Sequence, residues 1–297
     1  MCRSQQLSFR PDKKTKRIQE DIMLILACDT SNAACSACLY EDGKVLAQSF
    51  LSLGLTHSQT FMPMVHELMK LSGRTYQQLD AFACTVGPGS FTGIRIGVSA
   101  IKVMAMAAGK GAIPVSSLEA LAYPLFTCRD TLIASAIDAR NRRVFCSAYY
   151  NGQEIIGEEA RSTDDFLKLC ADWLAEKHLK DQILVCGNAW DSFEAAADKD
   201  LLANVRPAAT AHDILPSSTA ALAYRMAAGP ADPEDTLVLA DKFPAQALMP
   251  VYRARTSAER MFPGAQAAAA KSAAYTKSAT GIQAAADAKN LKDGKND

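Results

Sequence analysis

The chain has 297 residues, 49% of them hydrophobic, and its 32 basic and 32 acidic side chains give a formal charge of zero. That length suits two compact lobes burying roughly three quarters of their unfolded surface, and the charge balance excludes a general pull toward nucleic acid or anionic membrane. Nine cysteines scattered through apolar runs such as LILAC and DAFACTV exclude a disulfide framework and read as buried thiols of a reducing, cytoplasmic compartment.

The chain opens with Arg3, Arg10, Lys13, Lys14, Lys16 and Arg17 ahead of IMLILAC, which imitates a signal peptide with a lipoprotein box at Cys28. The imitation fails, because the apolar run barely reaches the roughly seven residues of a signal core and stops at Asp29. No run approaches the roughly 20 residues of a membrane span, so no membrane association is expected. Residues 1–22 are expected to be a loose extension, with Met23 the beginning of the folded part and an alternative translation start.

From Leu24 the pattern reads strand, turn at Asp29, strand, hairpin at Asp42-Gly43, strand, the Asp-Gly pair favouring a type I′ turn. An amphipathic helix is predicted over Ser58–Leu71, a strand over Leu79–Val86, a glycine loop, and a helix over Gly93–Ala108. AIPV then makes a short strand, and the SSLE of Ser116–Glu119 fits a capping box opening a further helix. Cys35 and Cys38 form a CxxC, but three positions along a strand put them on opposite faces, and no second pair completes a zinc site.

The second half repeats the first. Asp138 follows Asp29 by 109 residues (138 − 29), Gly152 follows Gly43 by 109 (152 − 43), and in this register Asn141 meets Asn32 and Tyr149 meets Tyr40. Asn151-Gly152 is again a type I′ dipeptide. A helix over Asp164–Lys177, the strand QILVCGN and a helix over Ser218–Ala228 complete the repeat. The expected fold is therefore α/β, two tandem actin-like ATPase-fold lobes of three meandering strands followed by helix, strand, helix, over residues 23–128 and 129–262. Residues 263–297 have almost no large apolar side chain and are expected to be a disordered tail rich in Ala and Lys.

In such a fold, Asp29, Thr30 and Ser31 after the first strand and Gly87, Gly89, Ser90, Thr92 and Gly93 in TVGPGSFTGIRIG are where phosphates would sit. The loop fits none of three templates. The third glycine is one residue late for GxGxxG, no Lys follows for a P-loop, and Ser90 has Pro88 and Thr92 where a nucleophile elbow needs glycines. A tight strand-to-helix turn capped by Ser90 or Thr92 explains the same residues without a ligand. The counterpart in the second half, VCGNAW, has a single glycine. Arg140, Arg142 and Arg143 in DARNRR are the densest basic cluster, read as a solvated hairpin or as a contact for tRNA phosphate or an acidic partner. His57, His66, His178 and His212 have no metal-ligand spacing. The helix over 93–108 is apolar nearly all round, with Arg95, Ser99 and Lys102 as a narrow polar stripe. Together with Phe61, Met62, Val65, Leu68 and Met69 of the preceding helix it suits either an interior pair or a helix-bundle interface between chains.

Asp29-Thr30-Ser31, HSQTFMP, TVGPGSFTGIRIG, PVSSLEALA, DAR and PVYRAR together resemble the bacterial TsaB (YeaZ) family, over Met23 to about Arg255. The resemblance implies a non-catalytic subunit of the machinery that places threonylcarbamoyladenosine beside the anticodon. It implies pairing with the TsaD transferase through first-lobe helices, docking of a TsaE-like ATPase on the pair, and tRNA contact indirectly through the complex. The interface is expected to use His57, Phe61, Met62, Val65, Met69, Ile94, Ile101 and Met104, with self-pairing through the same helices when the chain is alone. No cofactor is expected to be required, the glycine loop being a vestigial phosphate site with weak ATP or ADP binding at most. The metal-binding HxxxH of TsaD corresponds here to Ser117-Leu118-Glu119-Ala120-Leu121, so both ligand histidines are replaced. The competing readings are an actin-fold ATPase or small-molecule kinase and an independent tRNA-binding module.

Overall fold

Leu24–Asp29 form β1, buried along its whole length because both of its faces are covered. Cys35–Glu41 (β2) and Lys44–Leu51 (β3) return beside it as an antiparallel meander, joined by a turn in which Asp42 and Gly43 have φ of 46° and 79°, the type I′ geometry expected. Ala81–Gly87 (β4) and Gly111–Ser116 (β5) add in parallel on the other side of β1, giving the sheet order β3-β2-β1-β4-β5.

The second sheet is built the same way. Thr131–Asp138 (β6), Arg143–Tyr150 (β7) and Gln153–Ser162 (β8) meander, with Asn151 and Gly152 at φ 49° and 77°. Gln182–Cys186 (β9) and Val205–Pro207 (β10) pair in parallel, and the order is β8-β7-β6-β9-β10. Identical strand order and matching turns establish the duplication as two lobes of the actin-like type. The computed structural model describes residues 23–179, 182–196, 202–209, 211–229 and 238–253. The extension over 1–22, the tail over 263–297 and the last two residues of PVYRAR lie outside them.

Helices α1 (His57–Ser72) and α2 (Phe91–Ala108) cover the outer face of the first sheet, where Phe61, Val65, Ile94 and Ile101 close one core with Leu26, Phe82 and Cys28. Helices α4 (Thr163–Glu176) and α5 (Trp190–Ala196) do the same for the second sheet through Phe166, Leu167 and Phe193. A third core lies between the sheets and contains α3 (Ser117–Ala122) and α6 (Pro216–Ala228). Each of these helices crosses over: α3 follows β5 yet packs on β6 and β7, while α6 belongs to the second half and packs on β1 and β2. Cys35 and Cys38 fall into different cores, as the strand period requires.

Three differences from the sequence reading have physical causes. α2 begins at Phe91 rather than Gly93, because the Ser90 hydroxyl accepts the Gly93 amide at 3.2 Å and caps the helix two residues earlier. β10 was unread because three residues carry no period, and its existence depends on pairing with β9. Against the expectation that no run reaches membrane length, the 18 residues of α2 are long and apolar enough to span one. In the fold, Gly93, Ile94, Gly97, Val98, Ile101 and Ala105 of α2 are buried against the first sheet, and Arg95 and Lys102 interrupt the rest.

Leu118 is fully buried where α3 bridges the two sheets. Leu118→Ala is expected to lower the unfolding free energy by about 2–5 kcal/mol, read from the denaturant midpoint at unchanged m-value.

Candidate functional site

β1 and β4 run parallel with Cys28 beside Cys84, so the turn after Asp29 and the loop after Gly87 emerge together at one edge of the sheet. Asp29 is fully buried. Its Oδ1 accepts from the Ser31 amide at 3.1 Å, the Ser31 hydroxyl at 2.6 Å and the Thr85 hydroxyl at 2.5 Å. Burial pushes the carboxyl above its ordinary range, and the bonds from Ser31 and Thr85 offset only part of that. Among the described residues its Oδ2 has no partner, and neither do three other buried atoms nearby in the fold: Asn32 Nδ2, Ser36 Oγ and His57 Nδ1. His57 opens α1 and holds the Asn32 carbonyl at 2.7 Å through Nε2, which must carry the proton since a carbonyl only accepts.

The glycine loop lies against this turn. The Ser90 amide donates to the Ser31 carbonyl at 2.7 Å, and the Thr30 hydroxyl donates to the Gly93 carbonyl at 2.8 Å. A Cβ at Gly89 would strike the Ser31 carbonyl, one at Gly93 the Thr30 carbonyl, and one at Gly97 the Thr30 hydroxyl. Gly87, at φ 117°, has the Val251 carbonyl 2.5 Å from where its Cβ would stand, and the Val251 amide donates to the Val86 carbonyl at 2.7 Å. The glycines are thus required by close approach of the chain to itself. The structure brings Asp29, Thr30, Ser31, Gly87, Gly89, Ser90 and Gly93 together, while Thr92 stays exposed on the first turn of α2.

The second lobe's equivalent edge is built differently. Asp138 is exposed, its amide donates to Asn188 Oδ1 at 2.9 Å, and its Oδ1 accepts from the Arg140 amide at 3.0 Å. Gly187, at φ 105°, sits against the Ala136 carbonyl and donates its amide to the Ala211 carbonyl at 2.7 Å, again a close-packing requirement. Ser117 and Leu121 are both buried, Leu121 in the central core.

The expected interface set divides. Phe61, Val65, Met69, Ile94 and Ile101 are buried in the first lobe's own core and cannot form its surface, which corrects the expectation for these five. Met62 is 43% exposed, and His57 and Met104 are half-buried. The outward stripe of α2 is Arg95, Ser99, Val103 and Met106, with Val103 65% exposed. Val103 cannot be told from the core residues by hydrophobicity in the sequence because α2 is apolar on both sides. The signal that distinguishes them is the pair Gly93 and Gly97, four apart, which marks the side that must approach Thr30 closely.

Residues 52–230 match the family model described as TsaD, tRNA N6-adenosine threonylcarbamoyltransferase. The tRNA threonylcarbamoyladenosine biosynthesis protein TsaB of Haemophilus influenzae is 30% identical over 192 residues, 60% of this chain and 78% of that protein. The protein of the same name from Escherichia coli is 37% identical over 143 residues, 47% of this chain and 62% of that one. Among solved structures, YeaZ from Pseudomonas aeruginosa superposes with a TM-score of 0.59 at 24% identity, covering 77% of this chain and 99% of that one, which supports the fold.

Two predictions follow from the packed turn. Gly93→Ala forces a methyl group onto the Thr30 carbonyl and is expected to cost about 1–3 kcal/mol in chemical denaturation. Because the Asp29 carboxyl holds its proton above the ordinary value of 3.8, the folded chain binds more protons than the unfolded one just above that value. The wild type should therefore gain stability relative to Asp29→Asn as pH falls from neutral into that window; a stability difference constant with pH would contradict the assignment.

Proposed function

Because this chain belongs to the TsaB branch of the family described by the TsaD model, whose members serve tRNA threonylcarbamoyladenosine biosynthesis, we propose that it works there as a non-catalytic scaffold subunit. It pairs with a TsaD-type transferase, the pair receives a TsaE-like ATPase, and the transfer chemistry belongs to the partner. The observation that carries this reading is the engagement of the glycine loop with the chain's own turn. The amide of Ser90 and the approach allowed by Gly89 and Gly93, which would serve an anion, are used by Ser31 and Thr30. Accordingly, no cofactor is required and ATP or ADP binds weakly at most.

The pairing surface is the outer side of α1 and α2, where Met62, Val103 and Met106 present apolar side chains above a lobe core that is already closed. Self-pairing through the same side is expected when the transferase is absent. The actin-fold kinase or ATPase reading draws on the unpartnered Oδ2 of Asp29. Calorimetric titration with ATP and magnesium separates the two, since stoichiometric tight binding with turnover would overturn the scaffold role.

Met62→Asp and Val103→Asp each place a charge on that outer side without touching the core. Each should reduce co-purification with the transferase at least tenfold, roughly the 1.4 kcal/mol or more of burying an unpaired carboxylate, with unchanged circular dichroism. Retained pairing by both variants would refute this surface.

A further inference from the structure

The two lobes have equivalent turns after their first strands, and the duplication has treated them in opposite ways. In the first lobe Thr30, Ser31 and Asn32 are buried, Thr30 and Ser31 are bonded to the glycine loop and the Asn32 carbonyl to His57, and among the described residues that turn has no left-handed backbone. In the second lobe Arg140, Asn141, Arg142 and Arg143 are all exposed, and the first three have φ of 64°, 55° and 57°. Side chains other than glycine adopt this region singly and at a cost; three in succession, two of them arginine, is a strained turn.

The turn is also held. The Ala139 amide donates to the Arg143 carbonyl at 2.9 Å, the Arg143 amide to the Arg140 carbonyl at 3.2 Å, and the Arg140 amide to Asp138, whose own amide is fixed by Asn188. Arg143 donates from its guanidinium to the Ala160 carbonyl at 2.8 Å. Neither Arg140 nor Arg142 enters an ion pair with a described residue. A chain of zero net charge therefore keeps three arginines together on a strained, braced tip, with no ion pair to Arg140 or Arg142 among the described residues.

We infer that the turn Arg140–Arg143 is a contact for the phosphate backbone of tRNA, made directly by this chain. Arg140, Asn141, Arg142 and Arg143 are all exposed rather than set in a concave pocket of the kind a free nucleotide needs, and exposed guanidinium groups suit a polymer that brings its own charged ridge. The inference rests on the subunit reading, because the polyanion in a reaction of this family is tRNA. It adds to that reading a contact in the second lobe, away from the pairing helices.

Fluorescence anisotropy of labelled tRNA across a potassium chloride series tests it, with the chain alone and with the transferase, comparing wild type with Arg140→Gly/Arg142→Gly and Arg140→Lys/Arg142→Lys. The glycine variant relieves the left-handed strain, so its Tm should hold or rise while tRNA affinity falls about ten- to hundredfold. The slope of log affinity against log salt should shrink by about 1.4–1.8, two contacts at roughly 0.7–0.9 each. The lysine variant should keep most of the slope. Unchanged affinity and slope in the glycine variant would overturn the inference, and so would loss of transferase pairing with tRNA binding by the lone chain intact, which would make the turn a protein contact. Failure of the wild type to pair with the transferase would count against the subunit reading instead, and the lone-chain measurement would still decide the turn.

Discussion

The amide of Ser90 meets the carbonyl of Ser31 at 2.7 Å, and the hydroxyl of Thr30 meets the carbonyl of Gly93 at 2.8 Å. These two bonds fix the first turn of α2 against the end of β1. With Gly93 and Gly97 pressed on Thr30, α2 has one rotation available, and that rotation commits Ile94, Val98, Ile101 and Ala105 to the core and Val103 and Met106 to the surface. The exposed stripe is thus set by a backbone contact at the other end of the helix. A glycine loop that matches no phosphate-site spacing is the device that aims a helix.

The exchange of α3 and α6 between the halves explains how a duplicated fold holds as one body over residues up to Val251. Each sheet is covered on its inner side by a helix from the other half, so Ile25 and Cys38 share a core with Leu118, Ile133 and Leu222. Neither sheet could bury both faces alone, and β1 and β6 read as continuous apolar runs for that reason.

What was legible in the sequence was local. Asp42-Gly43 and Asn151-Gly152 announce their turns by chemistry that needs no tertiary context, and the 109-residue register (138 − 29) carries through to identical strand orders. Asp29, Ser31 and the glycine loop meet at one edge of the sheet, because strand ends and helix starts are local signals too. What escaped depends on neighbours. β10 exists only beside β9, and Phe61, Val65, Met69, Ile94 and Ile101 could not be separated from the exposed stripe by hydrophobicity alone, since core and interface residues share it.

The strain at Arg140, Asn141 and Arg142 was likewise invisible, since no residue there is a glycine and nothing in the composition signals a left-handed run. Its meaning comes from the comparison that duplication provides. The same joint in the first lobe settled into buried, bonded and unstrained backbone, so the fold does not itself demand the strained form. One copy has turned inward and serves the aim of α2; the other has stayed outside, charged and braced by Asp138 and Asn188. Duplication lets two equivalent joints diverge in this way, one spent on the fold's own packing and the other left exposed and charged.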